Sequence, residues 1–81
     1  PNDIKKDSKS ILQELLQAKK IALPEYNVVE IEGEAHLQNF KVSCSILKLG
    51  LSIEGHGSSR KIAEQAAAEE VLKILNKNPD L

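Results

Sequence analysis

The chain has 81 residues, of which 41% are hydrophobic and 28% are charged, and its formal net charge is −1. This length and composition indicate one small globular domain. No apolar run approaches the roughly 18 residues that a membrane-spanning helix needs, so we expect no membrane partner. The slight net acidity argues against a general polyanion binder, so a nucleic-acid site would have to concentrate positive charge locally.

The cysteine content indicates the redox environment of the protein and argues against a zinc site. Cys44 is the only cysteine, and a small domain without an internal disulfide is typical of a reducing cytoplasm. No Cys/His cluster has the spacing of zinc ligands. We therefore predict a cytoplasmic location and no metal or cofactor in this chain, with Cys44 in the core rather than reactive.

The first predicted element is a helix. Residues 1–6 are interpreted as a linker or tail, and Asp7 is a candidate N-cap because its carboxylate can accept from first-turn amides. Pro24 excludes any continuation of this helix. Apolar residues at three- and four-residue spacing predict one buried stripe of Ile11, Leu12, Leu15 and Leu16.

Three strands are predicted next. Val29 and Ile31 alternate with their neighbours and indicate the first strand, and segment 33–39 is a loop too long for a tight hairpin turn. The clearest signal is the period of two in the second strand, which predicts a buried face. That face consists of Phe40, Val42, Cys44 and Ile46, and the third strand repeats the pattern with Leu49, Leu51 and Ile53.

A second helix is predicted from Arg60 to about Leu75, capped by Ser58 or Ser59. Its apolar face is made by Ala63, Ala66, Ala67, Val71, Ile74 and Leu75. The element order is α-β-β-β-α, which predicts an α+β fold with two helices packed on one face of a three-stranded antiparallel sheet. We assign residues 7–76 to this domain and residues 77–81 to a C-terminal tail.

The start of the second helix carries a candidate phosphate site. Cations in a first helical turn oppose the helix dipole, which costs about 0.3 kcal/mol or more each, so their placement suggests a use other than stability. Backbone amides, hydroxyls and cations together suit an anion. The plainer alternative is a solvated basic turn. The residues are Ser58, Ser59, Arg60 and Lys61.

Two further surfaces are candidates for RNA contact. Ala35 and His36 lie in the long loop, which could enter a minor groove, although a lone loop histidine is often simply exposed. The first helix has a polar face that could hydrogen-bond to ribose hydroxyls and base edges, although an ordinary solvated face is the alternative. The polar face of the first helix contains Ser10, Gln13, Glu14 and Gln17.

Several segments together resemble double-stranded RNA-binding domains. The strongest is 55–68, GHGSSRKIAEQAAA, which is similar to the signature ending of that family. The others are 10–14 (SILQE), 24–26 (PEY) and 33–36 (GEAH), and the similarity runs from about Asp7 to Leu75. Within the family, these segments most resemble the C-terminal domains of bacterial ribonuclease III enzymes.

The resemblance implies double-stranded RNA as the partner and three contact regions. The polar face of the first helix would meet one minor groove, and the loop with Ala35 and His36 would meet the next. The segment from Ser58 to Lys61 would grip phosphates across the intervening major groove, and such domains span roughly 16 base pairs. Many family members have a lysine where Glu64 stands, so the phosphate clamp here has only two full charges.

The resemblance also implies a larger parent protein. A ribonuclease III parent would be a magnesium-dependent endonuclease that processes ribosomal and messenger RNA precursors and dimerises through its nuclease domain. We predict that this chain alone is a monomer with no catalytic residues, because its carboxylates are scattered and form no metal-binding cluster.

Duplex binding has alternatives in other functional classes. The protein-interaction role known for some domains of this fold stays open, because the chain is acidic and its clamp is reduced. Single-strand binding is disfavoured because the chain has only two aromatic residues, Tyr26 and Phe40. The pattern alone separates RNA from DNA poorly, and the preference for RNA depends mostly on the resemblance.

Overall fold

Two helices and three strands follow one another in the order predicted. The computed structural model describes residues 7–80, so the tail predicted for residues 1–6 lies outside the described part. The strands form one antiparallel sheet in the order β1-β2-β3, which confirms the α-β-β-β-α fold. The elements are α1 (Ser8–Ala18), β1 (Glu25–Glu32), β2 (Asn39–Ile46), a 3-10 turn (Leu47–Leu49), β3 (Leu51–Gly57) and α2 (Arg60–Lys77).

Helix α1 begins at a side-chain cap and buries a narrow stripe. The Ser10 amide donates to the Asp7 carboxylate at 3.2 Å, which confirms Asp7 as N-cap. Leu12 and Leu16, one helical turn apart, are fully buried. Ile11 was predicted in the same stripe but is 39% exposed, because α1 packs mainly along α2 and a helix–helix seam covers only one row of side chains.

Strand β1 departs most from the prediction. It begins at Glu25, and its pairing with β2 shifts register between Val28 and Glu30. A bulge of this kind places two residues opposite one and interrupts the alternation of side chains. Val29, at the bulge, is 51% exposed, and Ile31, which pairs with Phe40 near the end of the strand, is 50% exposed. The predicted strand is present, and Tyr26 and Val28 are its better covered residues.

The central strand β2 follows its predicted alternation. Val42, Cys44 and Ile46 are buried and Phe40 is half-buried at the end of the sheet. This placement confirms Cys44 as a core residue. Leu49, predicted in β3, instead lies in the 3-10 turn that precedes the strand.

Helix α2 packs on the sheet through small residues. Gly55 of β3 lies so close to α2 that a Cβ there would stand 2.2 Å from the Ala67 amide nitrogen and 2.7 Å from the Ala63 carbonyl oxygen. The buried face differs slightly from the prediction, because Ala68 is buried whereas Ala66 is only half-buried. The helix also runs past Leu75 to Lys77. The buried residues of α2 are Ala63, Ala67, Ala68, Val71 and Leu75.

The opposite face of the sheet is polar. Ser45 and Ser52 hydrogen-bond across β2 and β3 at 3.1 Å. The Lys41 ammonium lies 3.4 Å from the Glu30 carboxylate and 4.0 Å from that of Glu54. The fold therefore has two layers with one core between them. Within residues 7–80, no helix has the length and apolar character required to cross a membrane.

Replacing Gly55 by Ala should destabilise the domain by about 3 kcal/mol or more, because the new methyl group would overlap the α2 backbone. Urea unfolding followed by circular dichroism would measure the loss. Gly50→Ala is the matched control, since Gly50 has a φ of 66° but no atom within 4 Å of its missing Cβ, and backbone strain there costs only about 1 kcal/mol. Equal losses for the two variants would contradict the close helix–sheet contact.

Candidate nucleic-acid interface

The start of α2 is capped by Ser59. Its hydroxyl oxygen accepts from the Ile62 amide at 3.2 Å, and its carbonyl oxygen accepts from the Ala63 amide at 2.9 Å. The hydroxyl hydrogen of Ser59 remains a donor, because a serine that accepts through its oxygen can still donate. Ser58 is exposed beside it. Of the two predicted caps, Ser59 is therefore the one that acts as the cap.

The two cations of the first turn are both exposed, and one of them has an acidic partner. Arg60 Nε donates to Glu64 Oε2 at 2.9 Å, one helical turn away. This pair offsets part of the cost of a cation near the positive end of the helix dipole. The Arg60 side chain is still 58% exposed, and its guanidinium has five N–H donors, so the contact with Glu64 leaves donors for a second acceptor.

The sequence did not single out Lys9, which the fold places beside the Arg60–Glu64 pair at the start of α2. Lys9 Nζ lies 2.6 Å from Glu64 Oε1 and 4.8 Å above the centre of the Tyr26 ring. A signal for it existed, because Lys9 is also a cation in a first helical turn, the feature that singled out Arg60 and Lys61. The pairing could not be seen because Glu64 is 55 residues away in the chain.

A second pair of bonds joins the two helix starts. Gln65 Nε2 donates to Asp7 Oδ2 at 2.8 Å, and the Lys9 amide donates to Gln65 Oε1 at 3.2 Å. The N-terminal ends of α1 and α2 are therefore fixed to each other by side chains from both. We call Asp7, Lys9, Arg60, Glu64 and Gln65 the helix junction.

Both carboxyl groups of the helix junction are held in the charged form. Burial acts to raise the pKa of Glu64, but hydrogen bonds and charge from Lys9 and Arg60 outweigh it, and the pKa falls below its ordinary value of 4.5. Hydrogen bonds from Ser10 and Gln65 lower the pKa of Asp7 below its ordinary value of 3.8. Glu64 therefore carries a full negative charge beside the candidate phosphate site at neutral pH.

The candidate face of α1 lies next to the helix junction. Residues three and four apart share one face of a helix, and all four candidates on α1 are exposed. Gln13 also lines a shallow pocket of about 100 Å³ together with Lys9 and Tyr26. The four residues are Ser10, Gln13, Glu14 and Gln17.

The loop between β1 and β2 is held in a compact turn. The Leu37 amide donates to the Glu34 carbonyl oxygen at 2.8 Å. Gly33 has a φ of 94°, and a Cβ there would stand 2.1 Å from the Leu37 carbonyl oxygen, so only glycine fits. Ala35 and His36, at the tip, are exposed. The structure therefore presents both candidate loop residues to solvent.

The loop lies at the same end of the sheet as the start of α2. Phe40, just after the loop, pairs with Gly57, just before the helix cap. Asn39 Nδ2 also lies 3.3 Å from His56 Nδ1 across the sheet. The structure thus brings the start of α2 together with α1 through side-chain bonds, and with the loop through strand pairing. Within residues 7–80, no three His, Cys, Asp or Glu side chains are placed to hold a metal ion.

Comparisons with known proteins agree with this geometry. The profile of the double-stranded RNA binding motif matches residues 8–75. Ribonuclease 3 of Pasteurella multocida strain Pm70 is 53% identical over 75 residues, which are 93% of this chain and 33% of that protein. Ribonuclease 3 of Acinetobacter baumannii strain AYE is 60% identical over 76 residues, which are 93% of this chain and 32% of that protein.

The fold has a solved counterpart. The first dsRBD of protein HYL1 matches with a TM-score of 0.69 and 38% identity, covering 85% of this chain and 96% of that one. The chain therefore belongs to the double-stranded RNA binding motif family, and it is a double-stranded RNA-binding domain similar to that of ribonuclease III. It spans about a third of the length of the curated relatives that it matches.

Acid should loosen the helix junction before it unfolds the core. Because the pKa values of Asp7 and Glu64 lie below 3.8 and 4.5, their stabilisation is fully present above those values. It is lost as the pH falls through the lowered pKa values. The free energy of unfolding, measured in urea from about pH 6 to about pH 3, should fall less steeply for Asp7→Asn/Glu64→Gln than for wild type. Glu69→Gln should keep the wild-type profile, and identical profiles for all three proteins would contradict the prediction.

Proposed function

We propose that this domain docks duplex RNA for a ribonuclease III. The observation that carries the proposal is the joining of two candidate contact surfaces at the helix junction. The start of α2 offers a capped helix end with Arg60 and Lys61 exposed, and the neighbouring face of α1 offers hydrogen-bonding side chains. Cations at a helix N-terminus suit phosphates, and a polar helix face suits the shallow minor groove of A-form RNA.

Three surfaces of the domain would each meet one part of the duplex. Ser10, Gln13, Glu14 and Gln17 would hydrogen-bond in one minor groove. Ala35 and His36 would enter the next minor groove, and the segment from Ser58 to Lys61 would hold phosphates across the major groove between them. The placement of the loop and the start of α2 at one end of the sheet supports this assignment. Such contacts read the shape of the duplex more than its sequence.

The charge of the site implies modest intrinsic affinity. The start of α2 has two exposed cations, and one of them shares its donors with Glu64. With two or three phosphates neutralised, the logarithm of the binding constant should fall with the logarithm of salt concentration at a slope of about −2 to −3. Modest affinity suits a domain whose effective concentration on RNA is raised by a covalently linked second site.

The parent protein would supply the chemistry. The similarity to Ribonuclease 3 over about a third of that protein supports a ribonuclease III parent. In this proposal the parent is cytoplasmic and cleaves duplex RNA in ribosomal and messenger RNA processing. Its nuclease part would bind magnesium and form the homodimer, whereas this domain by itself would be monomeric. In this proposal the carboxylates and metal of catalysis belong to the nuclease part, and this domain holds the substrate.

Arg60→Ala/Lys61→Ala should weaken binding to a 20-base-pair RNA duplex by at least about tenfold and make the salt slope shallower by about 2. Fluorescence anisotropy over a salt series would measure both quantities. The matched control is Lys73→Ala/Lys77→Ala, which removes the same charge from the far end of α2. If the Arg60/Lys61 variant bound as tightly as wild type, the proposed site would be wrong, and a protein-interaction role would become the better explanation.

This chain alone should leave duplex RNA intact in the presence of magnesium, because its proposed role is to hold the substrate for a nuclease domain. A labelled RNA duplex incubated with the purified chain and Mg²⁺ and resolved on a denaturing gel would test this. A preparation of Arg60→Ala/Lys61→Ala serves as the control for contaminating nuclease. Cleavage by the wild type that disappears in this binding-defective variant would refute the assignment.

A further inference from the structure

One carboxylate lies between the two contact surfaces and serves both. Glu64 Oε1 is 2.6 Å from Lys9 Nζ of α1, and Glu64 Oε2 is 2.9 Å from Arg60 Nε of α2. The Glu64 side chain is only 12% exposed, although it lies in the second turn of a surface helix. Its position is therefore fixed from two sides, and each of its oxygens is committed to a different helix.

Glu64 is unfavourable for affinity in itself. A negative charge beside Arg60 repels RNA phosphates and competes with them for the guanidinium. A neutral residue at this position would leave the clamp more positive. The presence of Glu64 therefore calls for a benefit other than the strength of binding, and its two bonds indicate control of geometry.

We propose that Glu64 is a positioning residue that sets the preference for RNA duplex over DNA duplex, by holding the contact face of α1 at a fixed distance from the start of α2. This inference rests on the proposed function, because it assumes that these two surfaces meet a minor groove and the neighbouring phosphates.

The spacing of the two surfaces matters because the two duplexes differ in shape. A-form RNA has a wide, shallow minor groove and a deep, narrow major groove. B-form DNA has a minor groove about 6 Å wide and a major groove about 12 Å wide. Two contact surfaces held rigidly can match only one of these spacings, whereas two loosely joined surfaces can adjust to both. Selectivity is a difference of affinities, so a rigid junction that weakens DNA binding increases the selectivity for RNA.

The bonds around Glu64 indicate that it completes the helix junction. Gln65 joins the same two helix starts through Asp7 and the Lys9 amide. These bonds hold the Lys9 backbone amide and the Asp7 carboxylate at the start of α1, but not the Lys9 ammonium or the Arg60 guanidinium. Glu64 holds both charged groups, and Lys9 is further placed over the Tyr26 ring. Loss of Glu64 should therefore leave the helices packed but free their contact surfaces to shift.

Two substitutions separate position from charge. Glu64→Asp keeps the negative charge but is one methylene shorter, so it cannot reach Lys9 and Arg60 together. Glu64→Gln keeps the length but loses the charge and can accept a bond through only one oxygen. Glu69→Gln is the matched control, because it removes a charge from an exposed position on the same helix. Urea unfolding would show that each variant is folded before binding is measured.

The experiment is competition between RNA and DNA duplexes of one sequence for the full chain at fixed salt. Both Glu64 variants should lower the ratio of RNA to DNA affinity by about three- to tenfold. Glu64→Gln should do so mainly by strengthening DNA binding, and Glu64→Asp mainly by weakening RNA binding. Glu69→Gln should leave the ratio unchanged. Lys9→Met, which releases the α1 end of the bond without altering Glu64, should also lower the ratio.

An unchanged ratio for Glu64→Asp would overturn the inference. So would a rise in both affinities by the same factor for Glu64→Gln, because Glu64 would then act only through its charge. Either result leaves the proposed function intact as long as the wild type binds RNA duplex and Arg60→Ala/Lys61→Ala does not. Failure of the wild type to bind RNA duplex would instead refute the proposed function itself.

Discussion

The close approach of α2 to the sheet is the constraint on which the rest of the structure depends. Gly55 and the small residues Ala63 and Ala67 let the helix backbone lie against β3 with no side chain between them. This close approach lets Val71 of α2 join Cys44 and Ile46 of the sheet in one buried cluster. The helix axis is thereby fixed relative to the strands, and α1 then packs along α2 through Leu12 and Leu16.

The proposed binding surface is a consequence of that packing. Since only two residues separate the end of β3 from the start of α2, the first turn of α2 has to lie at the end of the sheet where the β1–β2 loop also lies. The start of α1 is then fixed there by the helix junction. The start of α2 is thus joined to α1 by side-chain bonds and to the loop by strand pairing, and these three segments carry the proposed RNA-binding face. The net charge of −1 is compatible with this face, because the cations are placed at a helix end rather than spread over the surface.

Sequence patterns predicted the parts of the structure that depend on local interactions. The period of two in β2, the cap Asp7 and the clustering of candidate residues at the start of α2 could be predicted, because each follows from neighbours within a few residues. For α2 the sequence narrowed the cap to Ser58 or Ser59, and the structure selects Ser59. The bulge in β1 was not readable, since a shift in register is decided by pairing with another strand. The contact of Lys9 with Glu64 joins two helices across most of the chain, and only the packed fold brings it about.

The bulge in β1 has a consequence for how the domain meets other chains. β1 lies at one edge of the sheet, where unpaired backbone groups can template the addition of a further strand. The register shift between Val28 and Glu30 breaks the regular ladder that such an addition would need. Glu25, Glu30 and Glu32 add like charges that two such edges would bring together. The irregular strand thus disfavours edge-to-edge association between the sheets of different chains. The proposed RNA-binding surface at the end of the sheet stays accessible.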